Sequence, residues 1–158
     1  MAGYFDTMTF GMGAIPMKDV TGNTEHFAGT EVSTTQVLQT SAAAAKGINW
    51  GSEHGAYRAK IRVDIKVLQK IAITKATHVE FRVYQSADNT TFDTDPLMTY
   101  RCSVDMLNKA RKTPISISAL STIGKYFCVS FKFVGGSVVN TDKCTTGNML
   151  ITANPESY

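Results

Sequence analysis

The side chains of this chain best suited to nucleophilic or metal chemistry belong to three cysteines and three histidines. They are Cys102, Cys128, Cys144, His26, His54 and His78. None of the histidines has a second ligand type at a spacing that one strand or helix would bring to a single metal ion. Serine-elbow, phosphate-loop and zinc-helix motifs do not occur in the sequence. We therefore expect no enzymatic activity, metal or cofactor, and we keep as a minor alternative a hydrolase that pairs a cysteine with a histidine in space.

A row of basic side chains along one stretch suggests a binding surface instead. Arg58, Lys60, Arg62 and Lys66 alternate with apolar residues and share one side, with Asp64 as the only acidic neighbour. Such a face would suit an acidic partner surface. The alternative is that lysines on a strand face keep a sheet edge soluble and prevent edge-to-edge aggregation.

A second set of partner-binding candidates lies near the start of the chain. Apolar and adaptable side chains here would suit an N-terminal arm that binds a partner protein through apolar contacts; they are Phe5, Met8, Phe10 and Met12. A buried strand predicts the same residue types equally well. Both interpretations are open at this point.

The elements that carry these residues are predicted to be β-strands. Apolar and polar residues alternate with a period of two over residues 57 to 67, 79 to 84 and 126 to 133, which places each apolar set on one strand face. In the last of these strands Cys128 takes a semi-buried position opposite the phenylalanines. Weaker strands are predicted at residues 8 to 12, 32 to 39, 97 to 104, 115 to 118 and 148 to 153.

The strand count and spacing predict an all-β antiparallel sandwich with little helix. Only residues 41 to 46 and 103 to 110 look helical, and no crossover helix separates the strands. With 158 residues the chain suits one domain, predicted as residues 31 to 158, preceded by an extended N-terminal arm and loop over residues 1 to 30.

Composition narrows the class of partner. The formal charge is only +3, from 16 basic and 13 acidic residues, so nucleic acid is not an expected partner. The odd number of cysteines favours a reducing compartment. The first residues do not resemble a secretion signal, and no apolar run is long enough to cross a membrane.

Three segments resemble cement proteins that decorate the capsids of tailed bacteriophages. They read YQSADNTTF at residues 84 to 92, GKYFCVSF at 124 to 131 and TTGNMLITA at 145 to 153. The likeness spans residues 79 to 153, about half of the chain, and is loose between residues 20 and 49. It implies a jelly-roll sandwich, association as a dimer or trimer, and binding to the major capsid protein on the outside of the shell. The chain would then be made in the host cytoplasm and reside in the virion.

The residues leave one further binding function open. A sugar- or receptor-binding sandwich would use Trp50 with Tyr57, Tyr84 or Tyr100 as an aromatic platform. Quenching of tryptophan fluorescence by glycans would separate it from a capsid protein. No small-molecule ligand is otherwise expected.

Overall fold

The computed structural model describes ten stretches of the chain, which contain twelve strands, one α-helix and one 3-10 turn. The stretches are residues 8–9, 15–17, 20–21, 24–28, 38–49, 60–107, 114–118, 126–136, 143–144 and 147–156. The elements are β1 (Met8–Thr9), β2 (Ile15–Pro16), β3 (Val20–Thr21), β4 (His26–Ala28), α1 (Ala42–Ala45), β5 (Ile48–Asn49), β6 (Lys60–Gln69), β7 (His78–Ser86), β8 (Met98–Ser103), the 3-10 turn (Val104–Met106), β9 (Ile115–Ser118), β10 (Tyr126–Val134), β11 (Lys143–Cys144) and β12 (Asn148–Glu156).

These strands form two antiparallel sheets. The first sheet has the order β1-β12-β6-β9, and β2 also pairs with β12. The second has the order β4-β10-β7-β8, with β5 also pairing with β10, while β3 and β11 form a separate pair. The all-β sandwich is thereby confirmed, whereas its jelly-roll connectivity stays a prediction.

The charged alternating segment forms β6, as predicted. Val63, Ile65 and Val67 are fully or almost fully buried, whereas Lys66 between them is exposed. From Arg62 to Ile65 this strand is not an edge, because β12 pairs on one side of it and β9 on the other. The idea that basic residues protect a sheet edge is therefore wrong for Arg62, which has a strand on both sides, while for Lys60 and Lys66, which lie outside the stretch paired with β9, it stays a prediction.

One apolar core fills the space between the two sheets. Isoleucines and valines from β6, β9 and β12 meet four phenylalanines from β7 and β10, namely Phe81, Phe127, Phe131 and Phe133. Phe131 packs at 6.3 Å from Phe81 and at 6.2 Å from Phe133, measured between ring centroids. Such aromatic pairs stabilise a core beyond their buried area.

β10 is buried on its other face as well. Cys128 is completely buried in a second cluster with Phe27, Ala45 and Tyr84. Helix α1 contributes to this layer. Ser41 caps its N-terminus, because the Ser41 side chain accepts a hydrogen bond from the amide of Ala44 at 3.2 Å. Cys128 is thus more deeply buried than the semi-buried position that strand parity predicts.

The remaining elements divide into predicted and unpredicted ones. β7, β8, β9, β10 and β12 match predicted strands within a few residues. The stretch predicted as helix from residue 103 contains only the three-residue turn at Val104–Met106 among its described positions. The two- and three-residue strands β2, β3, β4, β5 and β11 carry too short a pattern to be recognised in a sequence.

The N-terminal arm is only partly within the described residues. Its described positions form β1 to β4, which pair with β12, β11 and β10. Phe5, Phe10 and Met12 lie outside the described residues, as do most of the predicted strand at 32 to 39 and the residues Trp50, Tyr57 and His54. A contact role for the arm stays a prediction.

Candidate partner-binding surfaces

The structure places the described partner-binding candidates in the first sheet. Met8 belongs to β1 and pairs with Ala153 of β12, while Lys60, Arg62 and Lys66 lie on β6 at the opposite side of β12. The two candidate sets, which are far apart in sequence, therefore flank one strand. Arg58, the fourth basic candidate, lies outside the described residues.

In the middle of the β6 outer surface, polar side chains form hydrogen bonds with one another. Arg62 donates from Nε to Oδ2 of Asp64 at 3.2 Å, and the Ser116 hydroxyl on β9 donates to Oδ1 of the same carboxylate at 2.6 Å. The Arg62 side chain is 40% exposed and that of Asp64 is 16% exposed. The acidic residue thus offsets part of the basic face and holds Arg62 along the strand.

The end of β6 has a different character. Lys66 is exposed and lies directly opposite Leu150 of β12. Beyond this pair the register shifts, since Met149 pairs with Val67 and Asn148 with Gln69, so Leu68 has no partner on β12. An extra residue of this kind is a β-bulge. Leu68 is 43% exposed and is the one large exposed hydrophobic side chain in the part of the chain that the structure describes.

A polar network crosses the outer face of the second sheet. Oε1 of Glu25, next to β4, accepts hydrogen bonds from the Tyr84 hydroxyl at 2.7 Å and the Ser130 hydroxyl at 2.5 Å. The Arg82 guanidinium lies 3.6 Å from the same oxygen and 2.7 Å from Oε2 of Glu80. Since Ser130 is fully buried in β10, the network ties residue 25 to the centre of the sheet.

The network continues to the sheet's other side. Arg101 of β8 donates to Oε1 of Glu80 from both Nε and a terminal nitrogen, at 3.1 and 2.7 Å. Positive and negative groups alternate across the strands from Arg101 to Glu25. Because these two acidic and two basic groups pair with one another, they leave little net charge on this face for a binding partner.

Burial and charge shift the pKa values in this network. Burial would raise the pKa of Glu80, but hydrogen bonds from Arg101 and Arg82 outweigh it and hold this pKa below its ordinary value. Burial and then the hydrogen bond to Glu25 raise the pKa of Tyr84. The hydrogen bond with Tyr84 has the largest effect on Arg82. Together with the hydrogen bond to Glu80 it raises the pKa of Arg82, although burial lowers it. Every one of these groups therefore keeps its ordinary charge near neutrality.

Sequence reasoning did not find this network. The alternation at residues 79 to 84 does place Glu80, Arg82 and Tyr84 on one strand face. Their partner Glu25, however, lies 59 residues before Tyr84 in the sequence. Ser130, which donates to the same carboxylate, lies 105 residues after Glu25. Only the strand order brings them together.

The segment after β7 that carries part of the capsid-protein resemblance is a self-capped turn. Oδ1 of Asp88 accepts the amides of Thr90 and Thr91, both at 2.8 Å, and these bonds lower the pKa of Asp88. Asn89 has a positive φ of 60° and accepts the amide of Gly47 through Oδ1 at 2.6 Å. The turn-forming composition of this segment therefore has a local structural cause.

The cysteines and described histidines are embedded in the fold. All three cysteines are buried, and none is in a disulfide. His26 is buried and stacks on Phe131, with ring centroids 5.9 Å apart, while Nδ1 of His78 lies 2.8 Å from the hydroxyl of Thr77. Among the described stretches, no group of three or more histidine, cysteine or acidic side chains could hold a metal ion. The described part of the chain also holds no helix of the length and apolar character needed to span a membrane.

Tyr84, one of the three tyrosines considered for the sugar-binding alternative, is buried. Tyr84 is 6% exposed and its ring packs against Phe27, with 5.7 Å between centroids. Its hydroxyl is held by Glu25. A sugar ring therefore cannot stack on Tyr84 in this arrangement.

Comparison with known proteins gives no match to a protein-family model, to a curated protein or to a solved structure.

Proposed function

We propose that this chain is a structural virion protein that binds the outside of a phage capsid and clamps neighbouring subunits of the major capsid protein. It would act as a homo-oligomer, a dimer or trimer with a jelly-roll sandwich, and would reside on the capsid surface. The N-terminal arm, including Phe5, Met8, Phe10 and Met12, would contribute contacts to the shell. No enzymatic step is part of this proposal.

The observation that carries the proposal is the outer surface of β6. This strand pairs with β12 on one side and with β9 on the other side from Arg62 to Ile65, and just beyond that doubly paired stretch it presents exposed Lys66 and Leu68 to solvent. A binding site on a rigid strand is presented with little ordering cost when a partner docks. The filled core between the sheets is consistent with a protein that works through its surface. The resemblance over residues 79 to 153 supplies the class of partner.

A clamp of this kind requires only modest affinity at each contact. Many copies on one shell, each contacting two subunits, add their separate binding free energies through multivalency. A contact of standard size buries about 1,600 Å² in total. In this proposal the outer surface of the first sheet and the arm would together supply the contact.

The test is binding to a cognate shell. Purified protein is mixed with expanded capsids that lack it, and the pellet after sedimentation is assayed for bound copies per shell. The proposal expects saturation at a fixed stoichiometry and a higher temperature of shell disruption. Absence of binding to expanded shells at micromolar concentration would refute it, and unexpanded shells serve as the comparison for surface specificity.

A separate measurement addresses the sugar-binding rival. Titration of the protein with a panel of glycans, followed by tryptophan fluorescence, reports on Trp50, which is the only tryptophan in the chain. Saturable quenching would favour the rival. An unchanged spectrum alongside shell binding supports the capsid protein.

A further inference from the structure

We infer that the docking footprint on the first sheet is centred on the bulged Leu68, beside Leu150 and Lys66, and that it accepts an apolar side chain flanked by a carboxylate on the capsid protein. This inference rests on the proposed function and refines it. It moves the contact from the whole basic face of β6 to the end of that strand. We call Leu68, Leu150 and Lys66 the bulge patch.

The first step concerns the bulge itself. A regular strand ending would pair Leu68 with β12, but the register shift leaves it without a partner on that strand. Bulges are features that re-aim side chains and occur preferentially next to functional sites. Leu68 lies on the same outward face as Lys66, two residues before it, and is a leucine that is 43% exposed. Leu150, opposite Lys66, is partly exposed and extends the apolar area.

The second step concerns charge. The Arg62 guanidinium is already paired with Asp64, which in turn accepts from Ser116. Lys66 forms no ion pair with any described residue. Of Arg62 and Lys66 on the outer face of β6, Lys66 is therefore the one whose charge is available to a partner carboxylate. An interface with an apolar centre and a charged rim is the usual arrangement for a specific contact.

The third step distinguishes between occupants. If a second copy docked through the same patch about a two-fold axis, it would bring Lys66 close to Lys66 and leave each ammonium without an opposite charge. A capsid protein surface with an exposed carboxylate is complementary to this patch. The same charge argument excludes a basic partner.

The test compares three variants in the sedimentation assay. Leu68→Ser removes the apolar anchor, Lys66→Glu reverses the charge, and Thr99→Glu is the control on exposed β8 of the other sheet. We expect Leu68→Ser and Lys66→Glu each to weaken binding to expanded shells at least tenfold, because anchor residues in an interface contribute most of its affinity. Thr99→Glu should bind like the wild type. The salt dependence of binding should also decrease in Lys66→Glu.

The outcomes separate this inference from the function it rests on. Wild-type binding that is unaffected in both patch variants would overturn the inference and leave the capsid function standing. Absence of wild-type binding would overturn both. Analytical ultracentrifugation provides a further check: a wild-type oligomer that dissociates in Leu68→Ser would mean that a second copy occupies the patch, which also overturns the inference. Unchanged melting temperatures would confirm that the variants are folded, as expected for exposed positions.

Discussion

Removal of the Glu25 carboxylate should destabilise the fold more than any ordinary surface substitution. In Glu25→Ala the fully buried Ser130 hydroxyl loses its acceptor and cannot turn to water, which costs about 1–3 kcal/mol. Tyr84 loses the same acceptor, and Arg82 loses a partly exposed ion pair worth roughly 0.2–1 kcal/mol. We expect a total loss of about 3 kcal/mol in the free energy of unfolding.

Urea unfolding followed by circular dichroism measures this loss directly. In a chain of this length it corresponds to a decrease of roughly 6–12 °C in the melting temperature. The matched control is Asp95→Ala, which removes an exposed carboxylate and should change stability by less than about 0.5 kcal/mol.

A double mutant tests whether the buried hydroxyl is the cause. In the Ser130→Ala background the cost of Glu25→Ala should decrease by about 1–2 kcal/mol, because the Ser130 hydroxyl is no longer present to be left without an acceptor and only that of Tyr84 remains. If the two costs simply added, the unsatisfied Ser130 hydroxyl would not be the cause of the loss. If Glu25→Ala behaved like Asp95→Ala, the network would have no stabilising role and this reasoning would be refuted.

Three more predictions concern the second sheet and the core. Because the pKa of Glu80 is lower in the folded state than in the unfolded chain, its stabilising contribution is present above the unfolded value of about 4.3 and decreases as the pH falls through the folded one. Urea titrations between about pH 5 and pH 3 should therefore show a smaller acid loss in Glu80→Gln than in the wild type, and equal slopes would contradict the ion-pair assignment. Phe131→Ala should lower the free energy of unfolding by about 3–5 kcal/mol, since the ring is completely buried among Phe81, Phe133 and His26; a loss below about 1 kcal/mol would mean that the core is packed differently. Burial, with a smaller effect from Glu25, raises the pKa of Cys128, so in an Ellman assay of the native protein this thiol should react only after denaturant is added; immediate labelling located at Cys128 by mass spectrometry would show that the second cluster is open.

Much of the fold follows from local patterns in the sequence. The alternation of apolar and polar residues predicts β6, β7 and β10 because a half-buried strand needs a period of two. At the end of β6 the sequence departs from this pattern, because Leu68 is an apolar residue at an outward, exposed position. The pattern also underestimates the burial of Cys128, because the layer that covers it comes from α1 and β4, far away in the chain.

The surfaces were harder to predict than the strands. The basic face of β6 is recognisable in the sequence, but only the structure reveals that Asp64 offsets Arg62 and that the strand is not an edge from Arg62 to Ile65. Glu25 carried no signal, since its two hydroxyl donors lie on strands from the middle and the later part of the chain. Contacts between distant segments depend on strand order, which short-range periodicity does not encode.

The position of β12 inside the first sheet has a consequence for how the protein is made. β12 is the last of the strands in the described residues, and it separates β6 from β1 and β2. During translation β1, β2 and β6 are synthesised before the strand that pairs with all three of them. Their pairing with β12 therefore cannot form until residues 148–156 have been synthesised. Since pairings over such long sequence separations are slow to form, the sheet should close only after synthesis of that segment, as a late and cooperative step.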